Sequence, residues 1–359
     1  MRYYYYLILV NMIVNVLAYT PRILIRDRFN GAVLALPVST VLGMAFLLTF
    51  SYAIKRFPMM GLPEMLAGVF PSALIRLMML LFSTIWFTAG ALSVLVTANL
   101  TNYFINPSMP SSHVVFMYLI VICFVMQCKS QQVLYVVEMI FILSFPLVAF
   151  IFFKASISSG LRFDSMMTVV QTYKQLPTVS SLASATYIFS GYANMVIFNR
   201  VFPKFTMKWL WVFAPIGLSI LLTTMFLPIG FLGADGVKDY LFPWLSTADS
   251  MRVEFGFVER VLYIFYILYG EIAFISVVIH FHVALELIKS AANKSSRTFS
   301  WCVTALMCGT AVFMSHDLDE YPMFRIGEYW MSARMGGEIF LLLILLYTLY
   351  KKRRSPHEA

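Results

Sequence analysis

Three sets of polar residues interrupt an otherwise apolar chain. The first is Ser190-Gly191-Tyr192-Ala193-Asn194, the centre of the run from Ser184 to Asn199. Gly costs roughly 1 kcal/mol of helix propensity relative to Ala. Ser and Asn side chains can bond backbone groups that an unwound turn leaves free. Non-helical backbone at membrane depth is tolerated where it is buried in protein or lines a cavity, and transporters hold ligands at such breaks. The competing reading is that Gly191 and Ala193 are small for close helix packing. The second set is Asn11 and Asn15, four apart, with Pro21 beyond them. The third is Glu138 and Glu271, each flanked by apolar residues. A charge at the bilayer centre costs from about 2.5 kcal/mol upward. Each carboxyl must therefore be protonated, paired or wet, as a proton or cation site, a polar latch between helices, or a structural hydrogen bond.

Half-helix ends at a break present N–H groups with partial positive charge and carbonyls with partial negative charge. A free amino acid suits both. Its carboxylate would meet N–H groups near Asn15–Val16 or Gly191–Tyr192, and its ammonium the carbonyls near Met12–Val14 or Ile188–Ser190. The expected ligand-binding residues are Val14, Asn15, Phe189, Ser190, Gly191 and Tyr192, with Tyr192 or Phe189 closing the pocket, and Thr97 and Glu271 beside it. Glu138 and Glu271 are the candidates for proton or cation coupling. Thr97, Asn99 and Asn102 form a stripe of a kind that more often glues helices together.

No enzyme constellation emerges, and no cofactor or metal is expected. There is no P-loop, zinc motif, nucleophile elbow or dinucleotide turn. His280 and His282 are two apart and do not share a helix face. Ser111-Ser112-His113 has no supporting acid. Cys123, Cys128, Cys302 and Cys308 match no zinc spacing and read as small apolar residues.

The elements that position these groups are membrane spans. The chain is 60% hydrophobic and 12% charged, against about 25% charged in a soluble domain. The first apolar run leads into Thr20-Pro21-Arg22 rather than a small-residue cleavage site. With about twenty apolar residues per span, ten are expected: 3–25, 32–54, 74–103, 113–128, 133–153, 179–201, 209–232, 258–287, 299–316 and 331–350. The segments 154–178 and 234–257 read as surface stretches with short amphipathic helices.

Sorted over ten spans from a cytoplasmic N-terminus, the inner side holds fifteen of the 26 basic residues and three acids, a surplus of about twelve. The outer side and helix rims hold eleven basic and twelve acidic residues. Only Glu138 and Glu271 fall inside spans on this sorting. The pattern follows the positive-inside rule, places both termini in the cytoplasm, and assigns the charge of +9 to topology and lipid rather than nucleic acid. The tail 351–359 anchors the last span. Ten spans divide into two halves, about 3–153 and 179–350, whose first spans carry the two interruptions.

Lys55-Arg56-Phe57-Pro58 followed by Leu62-Pro63-Glu64-Met65 resembles the signature after span two of the endospore germination permeases, the B subunits of GerA-type nutrient germinant receptors. Phe242-Pro243-Trp244 through Phe257-Val258-Glu259-Arg260-Val261, and Glu138 with Phe145-Pro146-Leu147, resemble that family's entry into span eight and its span five. The resemblance implies an all-α membrane protein of the amino acid–polyamine–organocation superfamily, with a five-plus-five inverted repeat and interrupted helices one and six. It implies a receptor subunit in the cell or spore inner membrane that binds a small nutrient and signals by conformational change, with an A-type membrane subunit and a C-type lipoprotein as partners. A proton-coupled amino acid permease is the alternative, and a structural scaffold a third reading. Three departures stand out: Met12-Ile13-Val14-Asn15 in place of a Gly-rich turn, no Pro beside Gly191, and no Lys near Phe274.

Overall fold

In lipid a chain must satisfy its backbone hydrogen bonds internally. The computed structural model is accordingly helical, with no strand among its described residues, 1–17, 19–251, 261–317 and 320–354. The order is α1 (Arg2–Val14), α2 (Tyr19–Arg26), α3 (Ala32–Ile54), α4 (Leu62–Leu66), α5 (Ser72–Phe104), α6 (Ser111–Val125), α7 (Ser130–Ser156), α8 (Phe163–Val170), α9 (Val179–Tyr187), α10 (Met195–Phe198), α11 (Phe213–Leu232), α12 (Pro243–Ser250), α13 (Val261–Ala292), α14 (Arg297–Asp317) and α15 (Glu320–Arg354). The Phe257-Val258-Glu259-Arg260 element lies outside the described residues.

Seven helices are long and apolar enough to cross a bilayer, and an eighth span forms if α1 and α2, bent by 50°, are read as one. The chain is a multi-pass membrane protein. The expected ten is reached only by adding α6, fifteen residues long, and the α9–α10 run, which is too fragmented to qualify by length. The two stretches expected at the surface hold the short helices α8 and α12; α12 is a correction, because Trp244, Leu245 and Ala248 are fully buried.

Helices α5 and α13 form the centre: 61% and 67% of their most apolar windows are buried, against 28% for α7. Phe87 stacks on Phe281 at 5.6 Å along this pair. Gly90 permits the approach, since a Cβ there would meet the Phe281 ring at Cε1 (2.5 Å). Large apolar side chains of α7, among them Met139, Ile142 and Leu143, are more than half exposed and form the kind of surface that lipid covers. Helix α14 lies against α6, where the Cys123 and Cys308 thiols are 3.0 Å apart.

Met1 and the end of α15 lie at one end of the bundle. Met1 Sδ accepts from Thr206 N (3.4 Å), Lys351 donates to the Val69 carbonyl (3.3 Å), and Met59 N donates to the Phe202 carbonyl (3.2 Å). Glu64, on α4, pairs there with Arg200 (2.7 Å), which also reaches Glu286 of α13 (3.3 Å). The Leu62-Pro63-Glu64-Met65 motif thus ties α4 to the end of the interrupted helix and to α13.

Candidate functional site

The α-helix of the sixth apolar run stops at Tyr187, continues as a 3-10 turn over Ser190–Asn194 and resumes for one turn in α10. The first apolar run breaks between Val14 and Tyr19. The two breaks meet. A Cβ on Gly191 would lie 2.6 Å from Ile8 Cα and collide with the Leu7 carbonyl, so only glycine lets this turn rest on the α1 backbone.

Ending a helix frees carbonyls that must find donors, and here the donors are side chains. Asn11 Nδ2 donates to the Tyr187 and Ile188 carbonyls at 2.6 and 3.2 Å. Asn194 Nδ2 donates to the Gly191 carbonyl (3.2 Å), and its Oδ1 accepts from Trp86 Nε1 (2.7 Å). Arg334, reaching in from α15, donates to the Ala183 carbonyl (2.7 Å) and to Ser190 Oγ (2.6 Å). It also bonds Glu338 one turn along at 2.5 Å and lies 4.7 Å from the centre of the Tyr187 ring.

Arg334 and Glu338 are 3% and 6% exposed. This corrects the sorting of charges, which placed both among the outer and rim residues and left only Glu138 and Glu271 inside spans. Their i, i+4 spacing on an apolar helix, which puts both on one face, was the signal available.

A cavity opens between Asn11 of α1, Trp86 and Ala89 of α5, the Ser190–Asn194 turn, His280 of α13, and Arg334 and Glu338 of α15. Measured to the centre of a water-sized sphere it is about 30 Å³, room for roughly two waters. Two of its polar atoms are unspent: Arg334 Nε and Glu338 Oε1 are buried with no hydrogen-bond partner. His280, which also lines the cavity, has its Nδ1 2.7 Å from the Ser276 carbonyl.

Of the residues expected to bind a ligand, only Ser190 lines this cavity. Gly191 and Asn15 belong to the two breaks, but Gly191 packs on α1, and Asn15 Nδ2 donates to the Asn11 carbonyl of its own helix (2.7 Å). Tyr192 packs on Phe50 (5.0 Å), and Phe189 fills the space left by Gly43 and Gly217. Val14 is buried at the end of α1. Thr97 bonds the Ser93 carbonyl on α5 (2.9 Å). Glu271 accepts from Ser144 Oγ (2.8 Å), tying α7 to α13. Glu138 pairs with Arg2 at 2.9 Å, so the N-terminal cation satisfies it. Asn102 donates to Ser111 Oγ (2.6 Å), as helix glue. His282 bridges Ser130 (2.9 Å) and the Met126 carbonyl (2.9 Å) and stacks on Phe198. No group of three metal-ligating side chains occurs among the described residues.

The chain is thus a helical membrane protein in which two helix breaks touch and one of them borders a small cavity lined by a buried ion pair. Residues 3–320 match the model of the spore germination protein family, and the chain belongs to that family of spore permeases. No individual curated protein matched the sequence.

Proposed function

We propose that the chain is the nutrient-sensing membrane subunit of a spore germination receptor, with a free amino acid as its ligand in the cavity at the broken helix. The observation that carries the reading is the unspent valence of the buried Arg334–Glu338 pair. A guanidinium nitrogen and a carboxylate oxygen, side by side and buried, suit the carboxylate and ammonium of a zwitterion. Charge-assisted bonds of this kind are roughly twice as strong as neutral ones.

The cavity is too small for an amino acid in this arrangement, so binding widens it. A ligand that fits only the wide state shifts the equilibrium toward it by its differential affinity. The joint of the two breaks is the natural hinge, and α15 carries the movement to the surface, where an A-type membrane subunit and a C-type lipoprotein would read it. Ten spans in two repeats of opposite orientation, with both termini cytoplasmic, fit this reading and the surplus of basic residues at the terminal end.

The test is germination of spores carrying Glu338→Gln, scored against a panel of the twenty common L-amino acids. Losing a charged hydrogen bond is worth about 1.5–3 kcal/mol. Scored at matched membrane levels, because removing one partner of a buried pair also costs stability, the half-maximal concentration of the effective amino acid should rise at least about tenfold. An unchanged dose response would overturn the assignment. Accumulation of the labelled amino acid in proteoliposomes would recast the chain as a transporter.

A further inference from the structure

A second, wider cavity lies at the end of the bundle opposite Met1, between α2, the stretch from Val237 to Pro243 and the start of α15. It measures about 340 Å³ to the centre of a water-sized sphere. Its wall holds five cations, Arg22, Arg26, Arg28, Lys238 and Arg325, and one acid, Glu328. Two of the cations are spent. Arg26 pairs with Asp27 (2.9 Å) and with Glu328. Arg28 donates to the Ile25 carbonyl (3.0 Å) and the Ala234 carbonyl (2.5 Å), and faces Asp235 at 3.9 Å.

Arg22, Lys238 and Arg325 have no carboxylate within 4.0 Å among the described residues, although Glu320 attracts Arg22, and Glu328 attracts Arg325, from further off. Arg22 is the most informative. Its guanidinium lies 4.0 Å from the centre of the Phe324 ring, and its Nη1 is buried with no hydrogen bond. Tyr19, 5% exposed, lines the same cavity and also has a buried hydroxyl without a partner. An unmade hydrogen bond at a buried charged donor is costly. A guanidinium fork matches the paired oxygens of a carboxylate or phosphate. Tyr19 against Phe324 (5.3 Å) and Tyr187 against Trp330 (5.3 Å) form an aromatic layer between this cavity and the one at Arg334.

The geometry points to a second binding site, one for a small anion bearing carboxylate or phosphate oxygens, held by Arg22, Arg325 and Lys238 with the Tyr19 hydroxyl as a neutral donor. The site is separate from the nutrient cavity, and its occupancy does not require the nutrient reading to hold. The same oxygens occur on a soluble anion and on a phospholipid headgroup.

The experiment titrates the purified full chain in dodecyl maltoside with succinate, with inorganic phosphate and with dihexanoyl phosphatidylglycerol, following binding by calorimetry. Saturable binding of at least one probe is expected, weakened about tenfold by Arg325→Gln and by Arg22→Gln, and weakened less by Arg325→Lys, which keeps the charge but not the fork. Arg325 is exposed, so its variants leave the fold intact, as an unchanged unfolding midpoint will verify. Dihexanoyl phosphatidylglycerol binding well above phosphate assigns the site to a headgroup; comparable or weaker binding assigns it to a free anion. Glu338→Gln should not change any of these affinities, which separates a failure here from a failure of the nutrient site. No saturable binding of any probe, or binding indifferent to both glutamine variants, overturns the proposal.

Discussion

The two helix breaks touch, yet they are finished in opposite ways. At the first, the Asn15 side chain returns to the Asn11 carbonyl of its own helix, and the space beside the turn, about 10 Å³, is lined by Ile13, Val16, Leu17 and side chains of α7 and α13 that are apolar except for Tyr269, whose neutral hydroxyl is buried without a partner. At the second, freed carbonyls are met by Asn11, Asn194 and Arg334, from three different parts of the chain. The first break is locally closed and oily. The second is held by polar groups, and there Arg334 and its partner Glu338 each keep one unused valence. A ligand that brings its own charges has something to exchange only at the second. The first break serves it by supplying Asn11 and a close backbone.

The comparison can be broken most forcefully at Arg334. Removing one partner of a buried ion pair leaves an uncompensated charge and costs about 3–5 kcal/mol. Arg334→Ala should therefore lower the thermal midpoint of the purified protein steeply or abolish its membrane accumulation. Replacing the pair together, Arg334→Met with Glu338→Leu, should recover most of that stability, because well-packed apolar residues often match a buried pair, yet should not restore the nutrient response. If the double variant responds normally, the pair is structural.

A smaller contrast separates the asparagines. Asn11→Leu leaves the Tyr187 and Ile188 carbonyls without their donor, a loss of about 1–3 kcal/mol that denaturation in detergent would register. Asn15→Ala forfeits one bond within its own helix and should cost under about 1 kcal/mol. Equal losses would mean that the two breaks are finished alike.

Much of this architecture is legible in the chain. Gly191 between Ser190 and Asn194 in an apolar run marks a break, and the structure puts one there, starting at Tyr187 because Asn11 is present to receive the carbonyls. The short helix α8 follows from the amphipathic stretch that holds it, whereas α12 lies in the core, with Trp244 fully buried. Side-chain direction is less legible. Phe189 and Tyr192 share the break with Ser190, but in a 3-10 turn three residues make a full circle, so they point at α3 and α11 while Ser190 and Ala193 face the cavity. Partners distant in sequence are not legible at all: nothing local to Glu138 announces Arg2. Arg334 and Glu338 were hidden differently, because they stand near the start of the last apolar run, where charges are usually rim residues. The Glu64 motif was legible as a signature, but its pairing with Arg200 and the end of the broken helix was not.

The most direct measurement fills each break in turn. Ala89→Leu puts extra methylenes into the cavity at the second break, and Leu17→Phe overfills the apolar gap at the first; each carries a comparable overpacking cost of about 1–3 kcal/mol. In spores with matched membrane levels of the two variants, the germination response to amino acids should be lost or shifted at least about tenfold in Ala89→Leu and stay near that of the parent in Leu17→Phe. A normal response from Ala89→Leu together with a lost response from Leu17→Phe would contradict the account and move the ligand to the first break.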